Sequence, residues 1–274
     1  MKTRIISAAV ALCLFVGVLL LRNVAPGVLY GAFCLLNLLA VWEILHETKL
    51  VKNKLLIYGG LVYAVLYPLG YIGVLGRVDT LHINIIYALY LLIVSLANHS
   101  TTAPYETASS FCFPLFLSFS FSTLISLIRP KDGSGLLYLI LACVFAWGCD
   151  TGAYFTGVFF GKHKLCPIIS PKKTVEGAVG GIVICTALSI LVGIIFNSTS
   201  STHIVNLVKL GIITPFFAVI GMIGDLLASY IKRSCNIKDY GKIMPGHGGV
   251  LDRFDSLLLI SPVFCVLLEL MPIV

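Results

Sequence analysis

Charged residues are scarce in this sequence, and their scarcity excludes a water-soluble fold. Asp, Glu, Lys and Arg make up only 11% of the 274 residues, whereas 58% of the residues are hydrophobic. The mean hydropathy is +1.01. A soluble domain of this length would leave much of that apolar surface in contact with water. The composition therefore predicts an integral membrane protein.

Several other features are missing, and each absence argues against a class of protein. The nine cysteines contain no CxxC pair, which argues against a zinc or redox motif. No small-residue cleavage site closes the first apolar run before Arg22, so we expect that run to be retained. The two halves do not repeat each other as the halves of many transporters do. The apolar runs also lack the strict alternation of β-barrel strands.

What the sequence does contain is a series of long apolar runs. An α-helix needs about 20 mainly apolar residues to cross a hydrocarbon layer of about 30 Å. The sequence has nine such runs with few or no charges, at about 4–22, 25–45, 55–75, 81–97, 110–128, 136–157, 175–196, 206–228 and 255–273. They predict an all-α integral membrane protein with about nine transmembrane helices.

The distribution of lysine and arginine predicts the orientation of these helices. Positively charged short loops stay on the cytoplasmic side of a membrane. Fourteen of the 19 cationic residues fall on one side of the predicted topology: Lys2, Arg4, Lys49, Lys52, Lys54, Lys162, Lys164, Lys172, Lys173, Lys232, Arg233, Lys238, Lys242 and Arg253. Four fall on the other: Arg22, Arg77, Arg129 and Lys131. We therefore expect a cytoplasmic N-terminus and a non-cytoplasmic C-terminus. The net charge of +7 then reflects topology and anionic phosphates, and no nucleic-acid partner is expected.

The polar residues divide the chain into two regions. Residues 1–135, with about five spans, have few acidic residues, all near predicted span ends or in loops, and we interpret them as transmembrane scaffold helices. Residues 136–274, with about four spans, contain charges, glycines and prolines inside or beside apolar segments. We interpret this second region as catalytic, with polar loops at the cytoplasmic face.

The first polar cluster is WGCDTGAYFTGVFFGKHK, which places a carboxylate inside an apolar run. Asp150, Tyr154, Gly157 and Gly161 are spaced by four, three and four residues, so they share one face of a helix. A carboxylate at that depth is costly and is usually functional or paired. The alternative is that Asp150 hydrogen-bonds Tyr154 and only stabilises helix packing.

The second cluster, ISPKKTVEGAVGG, precedes the seventh predicted span. Ser170 and Pro171 have the character of an N-cap and a first helical residue, which would place Lys172 and Lys173 in the first turn. Cations there oppose the helix dipole unless an anion such as phosphate binds the same helix end. The alternative is that both lysines are topology residues that contact lipid headgroups. Glu176 is expected to pair one of these lysines or to face a polar cavity.

The third cluster, GMIGDLLASYIKRSCNIKDYGKIMPGHGGVLDRFDS, begins on the eighth predicted span. Asp225, Ser229, Lys232 and Arg233 lie at offsets of 0, 4, 7 and 8, so they line one face of its end. The glycines of the PGHGG loop that follows would let backbone amides approach a phosphate closely.

Two further carboxylates open the ninth predicted span. Asp252 and Asp255 share one helical face, with Arg253 between them. Carboxylates brought together from neighbouring helices among Lys and Arg match the needs of Mg²⁺-dependent phosphoryl or nucleotidyl transfer. We therefore predict that Asp225 and Asp252 are the metal ligands, with Asp255 as a further candidate.

The third cluster carries a family signature. It resembles, at the same spacing, the signature of the phosphatidate cytidylyltransferases, also called CDP-diacylglycerol synthases. The matching residues are Ser229, Ile231, Lys232, Arg233, Lys238, Asp239, Gly241, Pro245, His247, Gly248, Gly249, Asp252, Arg253 and Asp255. Only Met244 departs, where the family has Leu, Ile or Phe. The likeness covers about residues 140–274.

The resemblance implies transfer of CMP from CTP to phosphatidate, giving CDP-diacylglycerol and pyrophosphate. It also implies nine spans, a homodimer in the lipid bilayer, and an Mg²⁺ centre at Asp225 and Asp252, with a second divalent ion or K⁺ as an option. Catalytic residues would be Asp225, Asp252, Lys232, Arg233, Lys238, Asp239 and His247, the last preferred as a phosphate ligand. Substrate-binding residues would be Ser170, Lys172, Lys173, Ser229, Gly248, Gly249, Arg253, Asp150 and Glu176.

Two other functions stay open at this point. A lipid or polyprenol kinase would use a similar site with a different nucleotide reaction. A proton-coupled secondary transporter could use intramembrane carboxylates as a proton relay. In a bacterium, all three would be in the inner or plasma membrane, and the enzymes would have their active site at the cytoplasmic face.

Overall fold

The computed structural model describes residues 17, 26–129, 134–200, 204–243, 246 and 248–274. These residues form nine α-helices, two π-helical turns and one antiparallel pair of short strands. The helices are α1 Pro26–Trp42, α2 Lys54–Tyr71, α3 Thr80–Ala97, α4 Pro104–Ile128, α5 Gly135–Cys143, α6 Cys149–Phe160, α7 Val175–Thr199, α8 Leu207–Ser234 and α9 Leu251–Leu270. The π-helical turns are Glu43–Glu47 and Val144–Gly148, and the strands are β1 Lys164–Cys166 and β2 Ser170–Thr174.

Seven helical stretches within the described residues are long and apolar enough to cross a membrane. They are Gly27–Glu47, Lys54–Tyr71, Thr80–Ala97, Pro104–Ile128, Gly135–Phe160, Val175–Thr199 and Leu207–Ser234. This confirms the prediction of a helical, multi-pass membrane protein. The first predicted span, 4–22, lies almost wholly outside the described residues. The ninth predicted span is a helix, α9, but it is not among these seven, and the count of nine stays a prediction.

The described residues separate into two compact units. The first contains the described residues up to Ser122 together with Ser234–Phe254. The second contains Thr123–Arg233 and Asp255–Val274. The division falls between two residues of one motif, since Asp252 belongs to the first unit and Asp255 to the second.

Buried polar side chains connect the helices of the first unit. The Asn37 amide of α1 donates to the Ala64 carbonyl of α2 at 2.8 Å and to the Ser118 hydroxyl of α4 at 2.9 Å. Tyr63 stacks on Tyr87 with ring centroids 4.2 Å apart. Small polar groups of this kind hold helices together in lipid, where neighbouring helices gain nothing by hiding apolar surface from water.

Aromatic packing and glycine contacts organise the second unit. The rings of Phe145, Phe217 and Phe264 lie within 5.0 to 5.2 Å of one another, measured between centroids. Helices α6 and α7 approach closely at Gly152 and Gly181, where an added Cβ would lie 2.9 Å from atoms of the facing helix. Glycine permits that approach because it presents no side chain.

One local prediction is wrong. Ser170 and Pro171 do not begin α7; they lie in strand β2, which pairs with β1 through Lys164 opposite Thr174. The helix begins at Val175, and the Thr174 hydroxyl accepts the Gly177 N–H at 3.1 Å as its N-cap. Proline suits an extended edge strand because it has no N–H to pair. Lys172 and Lys173 therefore lie on a hairpin before the helix rather than in its first turn.

Candidate active site

A cavity of about 600 Å³ lies within the second unit, among α6, the hairpin, α7 and α8. Its volume falls within the range of small-molecule sites. Its apolar wall includes Ala153, Val158, Leu165, Ala178 and Met222. Its polar and charged residues are Asp150, Tyr154, Lys164, Ser170, Lys172, Lys173, Thr174 and Asp225. The fold thus brings residues of all three sequence clusters to one cavity.

An ion pair joins two of these clusters. The Lys173 ammonium on β2 contacts the Asp225 carboxylate on α8, and each side chain is a little over one-fifth exposed. The Ser229 hydroxyl, one turn further along α8, lies 3.5 Å from the second oxygen of Asp225. Positive and negative groups therefore lie side by side at the cavity wall, as a site for an anion with its counter-cation requires.

The position of Asp225 depends on a close approach between α8 and α9. A Cβ added to Gly224 would lie 3.1 Å from the carbonyl oxygen of Asp255 and 3.1 Å from the Cα of Ser256. Asp255 in turn accepts the Ser256 N–H at 2.7 Å. Two candidate metal ligands, Asp225 and Asp255, thus belong to helices that meet closely within one unit.

Glu176 has a different local role from the one expected. It does not pair Lys172 or Lys173 in the structure. Its carboxylate accepts the backbone N–H of Lys162 at 3.0 Å, and it forms a 2.6 Å hydrogen bond with the His163 ring. Glu176 therefore ties the start of α7 to the loop that leads into β1, and its role in substrate binding stays a prediction.

The glycine-bearing loop and Asp252 lie in the first unit. One Asp252 oxygen, Oδ2, accepts the backbone N–H of Tyr240 at 2.7 Å and of Gly249 at 3.0 Å. Gly248 has φ +86°, a backbone conformation that favours glycine. Asp252 therefore holds the end of the loop against the start of α9.

Sequence reasoning missed one residue of this region. Glu43, interpreted as a scaffold carboxylate near a span end, is fully buried and accepts hydrogen bonds from the backbone of the signature segment. One signal could have identified it. Glu43 is an acidic residue within an apolar run, and such a residue usually has a specific partner or function.

Comparison with known proteins gives the family. The profile of the cytidylyltransferase family matches residues 2–271 of the chain. The chain belongs to the cytidylyltransferase family. Two relatives, both named phosphatidate cytidylyltransferase, cover almost its full length. That of Bacillus subtilis (strain 168) is 36% identical over 273 residues, which are 98% of each chain. That of Staphylococcus saprophyticus is 34% identical over 275 residues, which are 98% of this chain and 99% of the relative.

A third relative matches a shorter segment at higher identity. The phosphatidate cytidylyltransferase of Staphylococcus haemolyticus (strain JCSC1435) is 43% identical over 134 residues, which are 49% of this chain and 50% of the relative. Together these matches confirm the resemblance that the signature of the third cluster predicted.

The other predicted residues of this cytidylyltransferase differ in exposure. Lys232 is buried, whereas Arg233, Lys238, Asp239 and Arg253 are exposed to the surroundings. His247 lies outside the described residues. A buried lysine needs an anionic or polar partner, whereas an exposed charged group can be solvated.

The carboxylates of this cytidylyltransferase suit a hard cation. Mg²⁺ usually takes one or two protein carboxylates and completes its shell with waters and substrate phosphates. Asp225 fits such a role because its carboxylate lines the cavity. Asp252 is a carboxylate of the same chemical kind, and its Oδ2 accepts two backbone N–H groups. Among the described residues, no three His, Cys, Asp or Glu side chains form a metal-ligand cluster.

Proposed function

We propose that this chain transfers CMP from CTP to phosphatidate, giving CDP-diacylglycerol and pyrophosphate. The observation that carries the proposal is the family match along nearly the whole chain, with full-length relatives named phosphatidate cytidylyltransferase. The cavity supports it, because cationic and acidic side chains lie side by side on its wall, as the binding of phosphates with a counter-cation requires. The apolar helices around it are suited to a membrane lipid.

The chemistry asks the protein mainly to bind and orient its substrates. An oxygen of the phosphatidate phosphate forms a bond to the α-phosphorus of CTP, and the bond from that phosphorus to the bridging oxygen of the β-phosphate breaks. Pyrophosphate leaves with the electron pair. A phosphate that is already ionised at neutral pH needs no strong general base. Holding both anions in line therefore accounts for much of the catalysis expected of the protein.

We assign that holding role to the cationic and hydrogen-bonding residues of the site. Lys172 and Lys173 would bind substrate phosphate from the hairpin, and Ser170 and Ser229 would donate hydrogen bonds. Lys232, Arg233, Lys238 and Arg253 would add positive charge, with Asp239 and His247 acting beside them. The amides of Gly248 and Gly249 would approach a phosphate closely, and Asp150 and Glu176 would orient the groups around it.

We propose Mg²⁺ as the metal and Asp225 and Asp252 as its ligands, with Asp255 as a further carboxylate, because Mg²⁺ usually takes one or two protein carboxylates. When bound, Mg²⁺ would neutralise the triphosphate and stabilise the departing pyrophosphate. A second ion, divalent or K⁺, would be compatible with the number of acidic residues. We further propose that the enzyme is a homodimer whose active site faces the cytoplasm.

One assay tests the proposed reaction. Purified protein in lipid or detergent is incubated with CTP, phosphatidate and Mg²⁺, and pyrophosphate and the CDP-lipid are both quantified. We expect the two products in equal amounts, and neither product when CTP or phosphatidate is left out. Release of CDP with a phosphorylated lipid would indicate a lipid or polyprenol kinase. Proton-coupled uptake of a solute by proteoliposomes, with no nucleotide turnover, would indicate a transporter.

A further inference from the structure

Glu43 is a buried carboxylate in the first unit, within the π-helical turn that continues α1. It is fully shielded from solvent, whereas Glu47, four residues further along the same turn, is about half exposed. Burial of an ionised side chain costs several kcal/mol unless hydrogen bonds compensate it. The structure shows which groups do so.

Both oxygens of Glu43 accept hydrogen bonds from the backbone at the start of α9. The Val250 N–H donates to Oε1 at 2.9 Å, and the Leu251 N–H donates to Oε2 at 2.8 Å. The first N–H groups of a helix have no partner inside the helix, and the helix dipole favours negative charge beside them. Glu43, more than 200 residues away in sequence, thus acts as the cap of α9.

The glycines of the signature segment leave room for this carboxylate. A Cβ added to Gly241 would lie 2.5 Å from a Glu43 oxygen, and one added to Gly249 would overlap both oxygens. Gly249 also donates its N–H to Asp252, at 3.0 Å. Gly249 is therefore held between two carboxylates, Glu43 on one side and Asp252 on the other.

We propose that Glu43 is a positioning residue for the transfer reaction. It fixes the segment from Gly248 to Asp252, so that the loop amides and the Asp252 carboxylate keep one orientation. This inference rests on the proposed function. It extends the active region to a helix that the sequence alone assigns to scaffold.

The test compares Glu43→Gln with two matched controls. Gln keeps the size of the side chain, but its NH₂ group faces one of the two backbone N–H donors, so one hydrogen bond is lost. Glu47→Gln makes the same change at the exposed end of the same turn. Glu106→Gln replaces a carboxylate by an amide at another buried glutamate of the first unit. Glu106 accepts the backbone N–H of Lys52 at 2.7 Å and of Asn53 at 3.2 Å.

Two measurements are made on each variant: steady-state kinetics with CTP and phosphatidate, and hydrogen exchange at the amides of Val250 and Leu251. For Glu43→Gln we expect kcat to fall roughly tenfold to a hundredfold, since a charge-assisted hydrogen bond is lost. Hydrogen exchange at the Val250 and Leu251 amides should accelerate by at least the same factor, because loss of the charge weakens both hydrogen bonds to the side chain. Glu47→Gln should match the wild type in both measurements. Glu106→Gln should lower thermal stability and leave exchange at Val250 and Leu251 unchanged.

A double-mutant cycle keeps the idea testable if Glu43→Gln folds poorly. Gly249→Ala places a methyl group against the Glu43 oxygens, and Glu43→Asp withdraws the carboxylate by one methylene. We expect the double variant to lose less activity than the product of the two single losses, because the shorter side chain makes room for the methyl group.

Each outcome decides a separate point. A wild type that makes no CDP-lipid would contradict the proposed function. An active wild type with a Glu43→Gln variant whose kcat stays within twofold would overturn the positioning role. The role is equally wrong if kcat falls while exchange at Val250 and Leu251 is unchanged, or if the double-mutant losses simply multiply.

Discussion

At the scale of single residues, Lys173 and Asp225 form an ion pair at the cavity wall. The Lys173 ammonium is shielded from solvent and its counter-ion is the Asp225 carboxylate. Removing one member of such a pair leaves the other charge without compensation. A substitution at either position therefore changes both the electrostatics of the cavity and the stability of the unit, and the two effects need separate measurements.

Asn at position 225 or 252 should nearly abolish activity. Asp225→Asn removes one of the two carboxylates at the cavity wall. Asp252→Asn removes a proposed metal ligand that also accepts the backbone N–H groups of Tyr240 and Gly249. We expect turnover to fall by several orders of magnitude at any Mg²⁺ concentration, measured as release of pyrophosphate. Retention of more than about a tenth of wild-type activity, a loss under roughly 1.4 kcal/mol, would remove that residue from the metal site.

Asp79→Asn is the control for these two variants. Asp79 is the exposed N-cap of α3, and its Oδ1 accepts the N–H of Leu81 at 3.0 Å and of His82 at 3.1 Å. Asn is an equally good N-cap, so the helix end keeps its acceptor. We expect activity close to that of the wild type. A large loss of activity would show that replacing an aspartate by asparagine can lower activity without affecting a metal ligand, and would weaken the interpretation of the other two variants.

Gln at both Lys172 and Lys173 should weaken substrate binding. We expect a higher apparent KM for CTP or phosphatidate with membrane insertion intact. The two lysines should differ in their effects, because Lys172 is exposed whereas Lys173 forms an ion pair with Asp225. Lys173→Gln should therefore lower kcat as well as raise KM. Kinetics of both single variants and the double variant test this. Unchanged constants would return the two lysines to a role in membrane topology.

At the scale of elements, glycine determines how closely α6 and α7 pack. A Cβ at Gly181 would lie 2.9 Å from the Ala153 Cβ and 2.9 Å from the Cys149 carbonyl oxygen, and neither atom can rotate away. Gly181→Ala should therefore push the helices apart and cost about 1–3 kcal/mol. We expect its thermal midpoint in detergent to lie several degrees below that of the wild type.

Gly211→Ala is the matched control, since it makes the same change inside α8. The nearest atom to a Cβ at Gly211 is Ile190 Cδ1 at 3.8 Å, which is ordinary contact. Alanine is favoured over glycine in a helix by up to about 1 kcal/mol. The control should be neutral or slightly stabilised. Equal midpoints for the Gly181 and Gly211 variants would contradict tight packing between α6 and α7.

At the scale of the whole molecule, the bias of fourteen cationic residues against four determines the predicted orientation. A reporter fused after Val274 should lie on the non-cytoplasmic side, and a reporter inserted near Lys164 should lie on the cytoplasmic side. Accessibility of each reporter in intact cells and in inverted vesicles measures this. Both reporters on the same side would remove the ninth span from the topology.

Properties encoded in neighbouring residues were accessible from the sequence alone. Membrane insertion follows from runs of about 20 apolar residues, because each helix that spans the membrane must itself be apolar and must satisfy its own backbone hydrogen bonds. The family signature is also largely local, since Ser229 to Asp255 are contiguous with their spacing preserved. The shared helical face of Asp225 and Ser229 followed from helical periodicity, and the structure places the Ser229 hydroxyl 3.5 Å from an Asp225 oxygen.

Only the tertiary structure decided the contacts between distant segments. The residues around Lys172 and Lys173 have the pattern of a helix start, yet they lie in strand β2, which pairs with β1. Local helix propensity is weak, and pairing with a neighbouring strand overrides it. Glu43 and Val250 are separated by 207 positions, and no periodicity links them. Their hydrogen bond exists because burial forces a carboxylate and the open N–H groups of a helix to satisfy each other.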